Sequence, residues 1–193
     1  MSTARLRAFV ADFTALIDQP PDEPRVVSEG SKLLAALVAQ DDWLPQTAAI
    51  PHPEHYSQYL LHLDPAGRFS MVSFVWGPGQ FTPIHDHTVW GLIGMLRGSE
   101  ISQRFRFEDG RPVADGAPQT LVPGDIEAVS PAVGDLHRVS NVFSDRASIS
   151  VHLYGADIGA VSRHTYSLDG TAFPFISGYS NAGRPNLLAD VPA

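Results

Sequence analysis

Two closely spaced histidines are the residues of this 193-residue sequence whose types and spacing best suit chemistry. His85 and His87 stand at positions i and i+2 of IHDHTVW, a β-like run in which alternate side chains leave the same face of a strand. Two imidazoles on one face can share a metal ion, although packed or surface histidines show the same spacing. The sequence contains no cysteine, so disulfides, thiolate nucleophiles and zinc–thiolate sites are excluded. Any redox chemistry must use a metal or a bound cofactor.

A second polar group lies on another predicted strand. Ser150, His152 and Tyr154 alternate in SISVHLY, so their side chains point to one face and can pass hydrogen bonds along a row toward a ligand at Tyr154. Taken alone, such a row is an ordinary polar strand face. Beside a metal site, it indicates a function.

Two helices and a set of strands must position these residues. Apolar residues at three- and four-residue spacing predict amphipathic helices over residues 2–17 and 29–40, separated by QPPDEP. From residue 56 onward, short β-rich runs alternate with Gly, Pro and Asp turns, which is typical of a sandwich or barrel. The predicted strands are residues 56–63, 69–76, 82–87, 90–96, 101–107, 119–121, 126–129, 137–141 and 147–154. The sequence therefore predicts a mainly β fold with two N-terminal α-helices.

The length of the chain fits one compact domain, residues 1–193. We expect a helical segment at residues 1–45, a β-barrel core at 56–154, and a Gly-, Ser- and Pro-rich segment at 155–193 that wraps the outside and ends in a loose tail. No apolar run reaches the roughly 18 residues of a membrane span, and the N-terminus lacks signal-peptide features. We expect a soluble, cytoplasmic protein.

The charge of the chain limits its partners. A formal net charge of −8 argues against nucleic acid, which is normally bound by concentrated Lys and Arg. No membrane partner is expected either. Neither the helices nor the tail shows a self-association stripe, so we expect a monomer.

Two segments of the chain resemble the paired motifs of the cupin superfamily, whose fold is a double-stranded β-helix or jelly-roll barrel. Residues 79–98, around the HDH sequence, are similar to the first motif, with Gly91 where most cupins place a glutamate ligand. Residues 124–141 are similar to the second motif, in which the histidine, His137 here, is normally the last metal ligand.

The resemblance implies a metal held by three histidines: His85, His87 and His137. Such a set is neutral, whereas the usual facial triad of two histidines and a carboxylate carries a negative charge. A neutral set leaves a divalent metal more able to take an anionic substrate, and three protein ligands leave positions open for substrate and dioxygen.

The combination of HDH, Gly91, GDLHRVSN and S-x-H-x-Y resembles the cysteine dioxygenase family of thiol dioxygenases over residues 56–163. The resemblance implies that the three histidines bind Fe(II) and that Ser150, His152 and Tyr154 border the substrate pocket. It also implies that a small thiol acid reacts with dioxygen to give a sulfinate. Tyr154 would then donate a hydrogen bond to the substrate or the reacting oxygen.

Two departures from the family pattern bear on the substrate. Mammalian members carry an arginine for the substrate carboxylate in a Tyr-x-Arg segment, where this chain has Gln58, and a crosslinking cysteine at the position of Gly91. Both changes resemble the bacterial Arg-to-Gln branch, similar to 3-mercaptopropionate dioxygenase, which places another arginine in a segment matched here by GADIGAVSRH. The resemblance assigns the carboxylate contact to Arg163, with Gln58 as a neutral neighbour; from the bare sequence, Arg163 could equally be a solvated surface charge.

Several interpretations remain open from the sequence. The substrate could instead be cysteine, which Gln58 disfavours, or mercaptosuccinate. A different cupin reaction, such as an isomerase or a carbon–carbon cleaving dioxygenase, would not require the Ser-His-Tyr row, and a non-catalytic sensor would usually carry a fused domain. The other four histidines have no ligand pattern and are expected to be structural, one of them also being a candidate for the pocket rim: His52, His55, His62 and, at the rim, His164.

Overall fold

A computed structural model of the chain describes residues 3–19, 22–183 and 185–187. Helices α1 (Ala4–Ile17) and α2 (Glu23–Val38) come first, followed by one turn of 3₁₀ helix at Gln46–Ala48. The strands follow in chain order: β1 (Ser57–Leu63), β2 (Ser70–Trp76), β3 (Ile84–His85), β4 (Gly91–Arg97), β5 (Glu100–Glu108), β6 (Arg111–Ala114), β7 (Gln119–Leu121), β8 (Ile126–Val129), β9 (Leu136–Asn141), β10 (Ser148–Tyr154), β11 (Arg163–Tyr166) and β12 (Ala172–Phe175).

The strands form two antiparallel sheets. One has the order β1-β2-β10-β4-β8, and the other has the order β12-β11-β3-β9-β5-β6, with β7 also paired to β5. Strands distant in sequence are neighbours in each sheet, which is the arrangement of a jelly-roll barrel. Between the sheets, Leu60, Val72 and Phe74 of the first belong to one apolar cluster with Val139 of the second. The predicted mainly β cupin fold with two helices is confirmed.

The two faces of β10 differ in what they contact. Ile149, Val151 and Leu153 belong to the apolar cluster that also contains the buried faces of both helices. The alternate residues of the same strand face the barrel interior, as the two-residue period requires. Because the helices cover the outer face, even this polar strand is buried along its whole length.

The helices pack closely against the outside of the five-stranded sheet. A Cβ atom at Gly30 of α2 would lie 2.9 Å from side-chain atoms of both Leu92 and Phe13, so a larger residue there would force the helix away. Among the described residues, no helix is long and apolar enough to cross a membrane.

Some predicted elements differ from the observed ones. The second helix begins at Glu23 rather than residue 29, because the Asp22 side chain accepts a hydrogen bond from Arg25 N and Pro24 occupies the first turn, where proline is tolerated. Of the strand predicted over residues 82–87, only β3 (Ile84–His85) forms. β6 was not predicted from the sequence. The expected wrapping segment contributes β11 and β12 to the second sheet. Residues 1–2, where the first helix was predicted to begin, and the predicted tail beyond 187 lie outside the described residues.

His62 of β1 gives the fold a defined response to acid. Its side chain is buried, its Nδ1 accepts a hydrogen bond from Leu187 N at 3.1 Å, and burial lowers its pKa to about 4. The unfolded chain therefore binds more protons between pH 6.5 and 4, so stability should fall as pH decreases through that window, by no more than about 3 kcal/mol from this group. Urea unfolding of His62→Asn, which keeps an acceptor near Nδ1, should show a shallower pH dependence than the wild type. The matched variant His55→Asn, at an exposed histidine, should keep the pH dependence of the wild type.

Candidate active site

Three histidines meet where β3 pairs with β9. His85 ends β3 and is paired in register with His137 of β9, while His87 follows two residues later. Each offers one ring nitrogen to a group whose ligand atoms all lie within 4.8 Å of one another. Their ring centroids are 4.7 to 4.9 Å apart. Ligand atoms this close from three imidazoles form a candidate metal site.

The outward-facing nitrogen of each histidine lies next to an oxygen atom. Nδ1 lies 3.1 Å from Pro83 O in His85, 2.9 Å from Asp135 Oδ1 in His87 and 3.4 Å from Ser102 Oγ in His137. Proton donation through Nδ1 leaves the Nε2 lone pair free for a metal, and Nε2 of His87 is buried with no partner among the described residues. Burial, with the neighbouring histidines, lowers the pKa of His85 and His87 well below the ordinary value, so both are neutral, as metal binding requires. The three residues fit a divalent metal.

Asp135 explains why His87 reaches the group although it lies beyond β3. One carboxylate oxygen of Asp135 accepts from His87 N at 3.0 Å and the other from Thr88 N at 2.8 Å. Thr88 has a φ of 61°, an uncommon conformation for a β-branched residue, which this carboxylate stabilises. Asp135 therefore replaces the strand ladder at this point and orients His87.

Asp135→Asn should weaken metal binding by about 10- to 100-fold, the usual effect of disturbing a partner of a ligand histidine. An asparagine oxygen can still accept from His87, but its NH₂ group would face the Thr88 N–H, placing two donors together. Titration with Zn²⁺ or Fe(II) under anaerobic conditions measures the change. Exposed Asp145 supplies the control Asp145→Asn, and equal affinities in the two variants would contradict the role of Asp135.

The Ser-His-Tyr row forms a continuous chain of hydrogen bonds inside the barrel. Tyr154 Oη lies 2.8 Å from His152 Nδ1, and His152 Nε2 lies 2.8 Å from Ser150 Oγ. The Trp76 indole donates to Ser150 Oγ at 3.2 Å, and the His152 ring stacks on Phe74 with centroids 4.0 Å apart. Burial raises the pKa of Tyr154, so its phenol stays protonated. The Tyr154 ring also stacks on His87 at 5.5 Å, which places the row against the candidate metal site.

A cavity of about 110 Å³ joins the histidines to the row. His85, His137, His152 and Tyr154 line it, together with Gln58, Arg163 and aromatic side chains. None of the described residues that line it carries a carboxylate. The site therefore offers an anionic ligand one cation and several neutral donors.

Arg163 is buried, with 3% of its surface exposed, so the alternative of a solvated surface charge is wrong. Its Nη2 donates to Ser177 Oγ at 2.6 Å and its guanidinium lies 4.7 Å from the centre of the Phe175 ring. Nε has no hydrogen-bond partner, and no carboxylate of the described residues pairs with it. Gln58 Oε1 is likewise buried without a partner. Both side chains retain unused hydrogen-bonding capacity at the cavity.

The sequence model of the family described as cysteine dioxygenase type I matches residues 25–167. The chain belongs to the cysteine dioxygenase type I family. It is similar to cysteine dioxygenase type 1 of Rattus norvegicus, with 30% identity over 91 residues, and of Homo sapiens, with 29% identity over 91 residues; each match covers 46% of this chain and 45% of that protein. The chain spans about half the length of the curated relatives it matches.

Two solved structures are similar to this member of the cysteine dioxygenase type I family at low identity. One is an uncharacterized conserved protein with a double-stranded β-helix domain from Klebsiella pneumoniae (TM-score 0.47, 16% identity, covering 61% of this chain and 91% of that chain). The other is a cupin superfamily protein from Desulfitobacterium hafniense (TM-score 0.45, 15% identity, covering 61% of this chain and 94% of that chain).

Gly91 faces the ring of Tyr154. A Cβ atom at Gly91 would lie 2.9 Å from carbon atoms of the Tyr154 ring and 3.0 Å from Val129. Without a cysteine in the chain, no thioether to Tyr154 can form. Among the described residues, the Tyr154 side chain is held by its hydrogen bond to His152 and by packing.

The remaining histidines lie away from the cavity. His52 and His55 stack at 3.8 Å and His62 packs near Phe69. His164, the candidate for the rim, does not line the cavity, and its Nδ1 lies 3.3 Å from Asp86 Oδ2 instead.

Sequence reasoning missed the residues that support the candidate site. Asp135 had a signal, because an acid two positions before a ligand histidine is a candidate partner for a neighbouring one. Trp76 and Phe74 had none, since aromatic residues in a buried strand are ordinarily core. Their roles follow only from their contacts with Ser150 and His152.

Proposed function

We propose that this protein is a mononuclear non-haem Fe(II) thiol dioxygenase that oxidises 3-mercaptopropionate to its sulfinic acid with dioxygen. The observation that carries the proposal is the buried guanidinium of Arg163, which lines the same cavity as His85 and His137 and has no carboxylate partner among the described residues. A buried cation in that position requires an anion, and a substrate carboxylate supplies one.

The choice of Fe(II) rests on the donor set and on the family. Neutral imidazoles from His85, His87 and His137 suit several divalent metals, and membership of the cysteine dioxygenase type I family favours iron among them. When bound, Fe(II) would supply open positions for a thiolate and dioxygen side by side.

The uncharged surroundings favour a thiol acid without an amino group. The ammonium of cysteine would enter a cavity whose described lining contains no carboxylate, and desolvating it there without an ionic partner is unfavourable. Gln58 offers an acceptor oxygen but no negative charge. Mercaptosuccinate, with a second carboxylate, would leave one anion facing the neutral lining.

The chain's own residues would divide the work of orientation. Arg163 would hold the carboxylate, Phe74 and Trp76 would exclude water, and Tyr154 would donate a hydrogen bond into the cavity. His152 and Ser150 would fix the direction of the Tyr154 hydroxyl through the bonds described above.

The single domain, the monomeric state and the cytoplasmic location stay predictions from the sequence.

Anaerobic reconstitution with Fe(II), followed by oxygen consumption and sulfinate detection, tests the function. 3-Mercaptopropionate, cysteine and mercaptosuccinate are compared in parallel. Dominant turnover of 3-mercaptopropionate is expected. Dominant turnover of another thiol would keep the chemistry and overturn the substrate assignment. Absence of oxygen uptake with every thiol, at one iron per chain, would overturn the thiol dioxygenase proposal.

Tyr154→Phe should lower kcat by about 10- to 100-fold, as expected for one hydrogen bond to a reacting group. Phenylalanine keeps the ring stacked on His87 and removes only the hydroxyl, so bound iron should be unchanged. Iron analysis and steady-state kinetics on the same preparation separate the two effects. Loss of iron would make Tyr154 a structural support of the metal site instead.

A further inference from the structure

The hydrogen bond that the Arg163 side chain makes among the described residues goes to a residue outside the cavity. Arg163 Nη2 donates to Ser177 Oγ at 2.6 Å. Ser177 is not among the described residues that line the cavity. It lines an adjoining groove of about 420 Å³, which shares Tyr56, Gln58 and Phe175 with the cavity. Ser177 therefore contacts the guanidinium without lining the space that a substrate would occupy.

Phe175, two residues earlier, restricts the same guanidinium in another way. The central carbon of the guanidinium lies 4.7 Å from the centre of the Phe175 ring. A guanidinium is planar and its donors form a rigid fork, so one hydrogen bond together with a ring contact limits its rotation. Nη2 is held at Ser177 while Nε has no partner among the described residues. The free donors of Arg163 are thus oriented before a ligand arrives.

Both contacts come from one segment, residues 175–181, which is anchored to an edge of the other sheet. Ser180 N donates to Gln58 O at 2.7 Å, and Gln58 N donates to Ser180 Oγ at 2.8 Å. Gln58 belongs to β1, the edge strand of the five-stranded sheet, whereas Arg163 belongs to β11 of the second sheet. The segment therefore fixes the two polar residues of the cavity, Gln58 and Arg163, relative to each other.

We propose that Ser177 is a positioning residue for the substrate carboxylate, holding the Arg163 guanidinium from outside the cavity in the orientation that binds it. The inference deepens the proposed function, because it rests on Arg163 binding the carboxylate. Without the Ser177 hydroxyl, the long Arg163 side chain would gain rotational freedom that binding must remove again. Affinity for an acid should fall, whereas affinity for a thiol that does not use Arg163 should stay the same.

Equilibrium binding measures this effect without turnover. The full-length chain is loaded with Zn²⁺, and isothermal titration calorimetry under anaerobic conditions compares 3-mercaptopropionate with 2-mercaptoethanol, a thiol without a carboxylate. Ser177→Ala should raise the Kd for 3-mercaptopropionate by about 3- to 10-fold, the usual effect of having to immobilise one long side chain on binding. The Kd for 2-mercaptoethanol should not change.

A pair of variants of equal shape separates the hydroxyl from the volume of the side chain. Ser177→Thr keeps a hydroxyl that can accept from Arg163 and should bind 3-mercaptopropionate nearly as the wild type does. Ser177→Val has the shape of threonine without the hydroxyl and should behave as Ser177→Ala does. The comparison of threonine with valine stays valid even if Ser177→Ala does not fold.

A double-mutant cycle with Arg163→Met shows whether Ser177 acts through Arg163. In the Arg163→Met background, Ser177→Ala should not weaken acid binding further, because the guanidinium that it positions is gone. Ser167→Ala is the matched control, since Ser167 lies in the turn between β11 and β12, bonds to Thr171 O and does not line the cavity. It should bind both thiols as the wild type does.

Steady-state kinetics of the iron-loaded enzyme supply a second readout. Ser177→Ala should raise KM for 3-mercaptopropionate by about 3- to 10-fold and leave kcat nearly unchanged, because Ser177 does not touch the reacting atoms. A lower kcat with an unchanged KM would contradict a role in holding the carboxylate.

The possible failures differ in what they overturn. Equal affinity of Ser177→Ala and the wild type for 3-mercaptopropionate would overturn the role of Ser177 and leave the proposed function intact. Equal weakening of both thiols would make residues 175–181 a general support of the site and overturn selective positioning of Arg163. A wild type that binds the acid no better than 2-mercaptoethanol would overturn the carboxylate contact, and the role of Ser177 with it. The expected binding pattern in a chain that oxidises no thiol would support Ser177 while overturning the proposed function.

Discussion

Replacing Arg163 with methionine should lower kcat/KM for 3-mercaptopropionate by about 100-fold, mainly by raising KM. The reason is that removing one partner of a buried charge pair costs roughly 2–5 kcal/mol. The guanidinium lines the cavity and its Nε has no other partner among the described residues. A methionine keeps much of the side-chain volume beside Phe175 while removing the charge. The measurement is steady-state oxygen uptake at saturating dioxygen.

A thiol without a carboxylate, such as 2-mercaptoethanol, makes this test specific. The kcat/KM of the wild type for 2-mercaptoethanol should be about as low as that of Arg163→Met for 3-mercaptopropionate. The variant should no longer prefer 3-mercaptopropionate to 2-mercaptoethanol. Arg163 has no carboxylate partner among the described residues, so melting temperature should stay the same or rise. Arg106→Met, at an exposed arginine, is the control. A variant that still prefers the acid would place the carboxylate contact on another residue.

Replacing His137 with alanine should eliminate stoichiometric metal binding and activity together. Two histidines remain, one donor is gone from a group in which all three lie within 4.8 Å, and the loss of affinity should exceed the roughly 100-fold that a disturbed outer partner causes. Metal analysis after desalting, together with Zn²⁺ titration, measures it. The cavity left by the ring also separates Ser102 and Glu127 from their shared partner.

His55→Ala serves as the comparison because His55 is exposed and stacks only on His52 among the described rings. It should bind metal as the wild type does. Retention of one metal per chain in His137→Ala, with activity intact, would move the metal site away from β3 and β9.

The polar rows of the site could be predicted from sequence because strands impose a two-residue period. Alternation in SISVHLY placed Ser150, His152 and Tyr154 on one face, and the structure joins them by hydrogen bonds of 2.8 Å. The same argument predicted that His85 and His87 converge, but it does not explain how His87 is held in place. The strand ends at His85, and the Asp135 carboxylate, rather than a ladder partner, holds His87.

Other features depended on contacts between distant residues, which local patterns do not contain. The early start of α2 depends on Asp22 as a cap within a Pro-rich break that suggested a loop. The burial of Glu100 could not be predicted either, because an isolated glutamate in a strand is usually a solvated edge residue. β11 has four residues and is recognisable only by its pairing with β3 and β12.

The pairing of β3 has a consequence for the order in which the protein can be completed on the ribosome. β3 lies between β9 and β11, so the strand that carries His85 has only one neighbour until residues 163–166 have been synthesised. The same late strand begins with Arg163. We therefore expect the three candidate metal ligands and Arg163 to reach their folded positions together, once β11 has been synthesised, rather than one after another along the nascent chain.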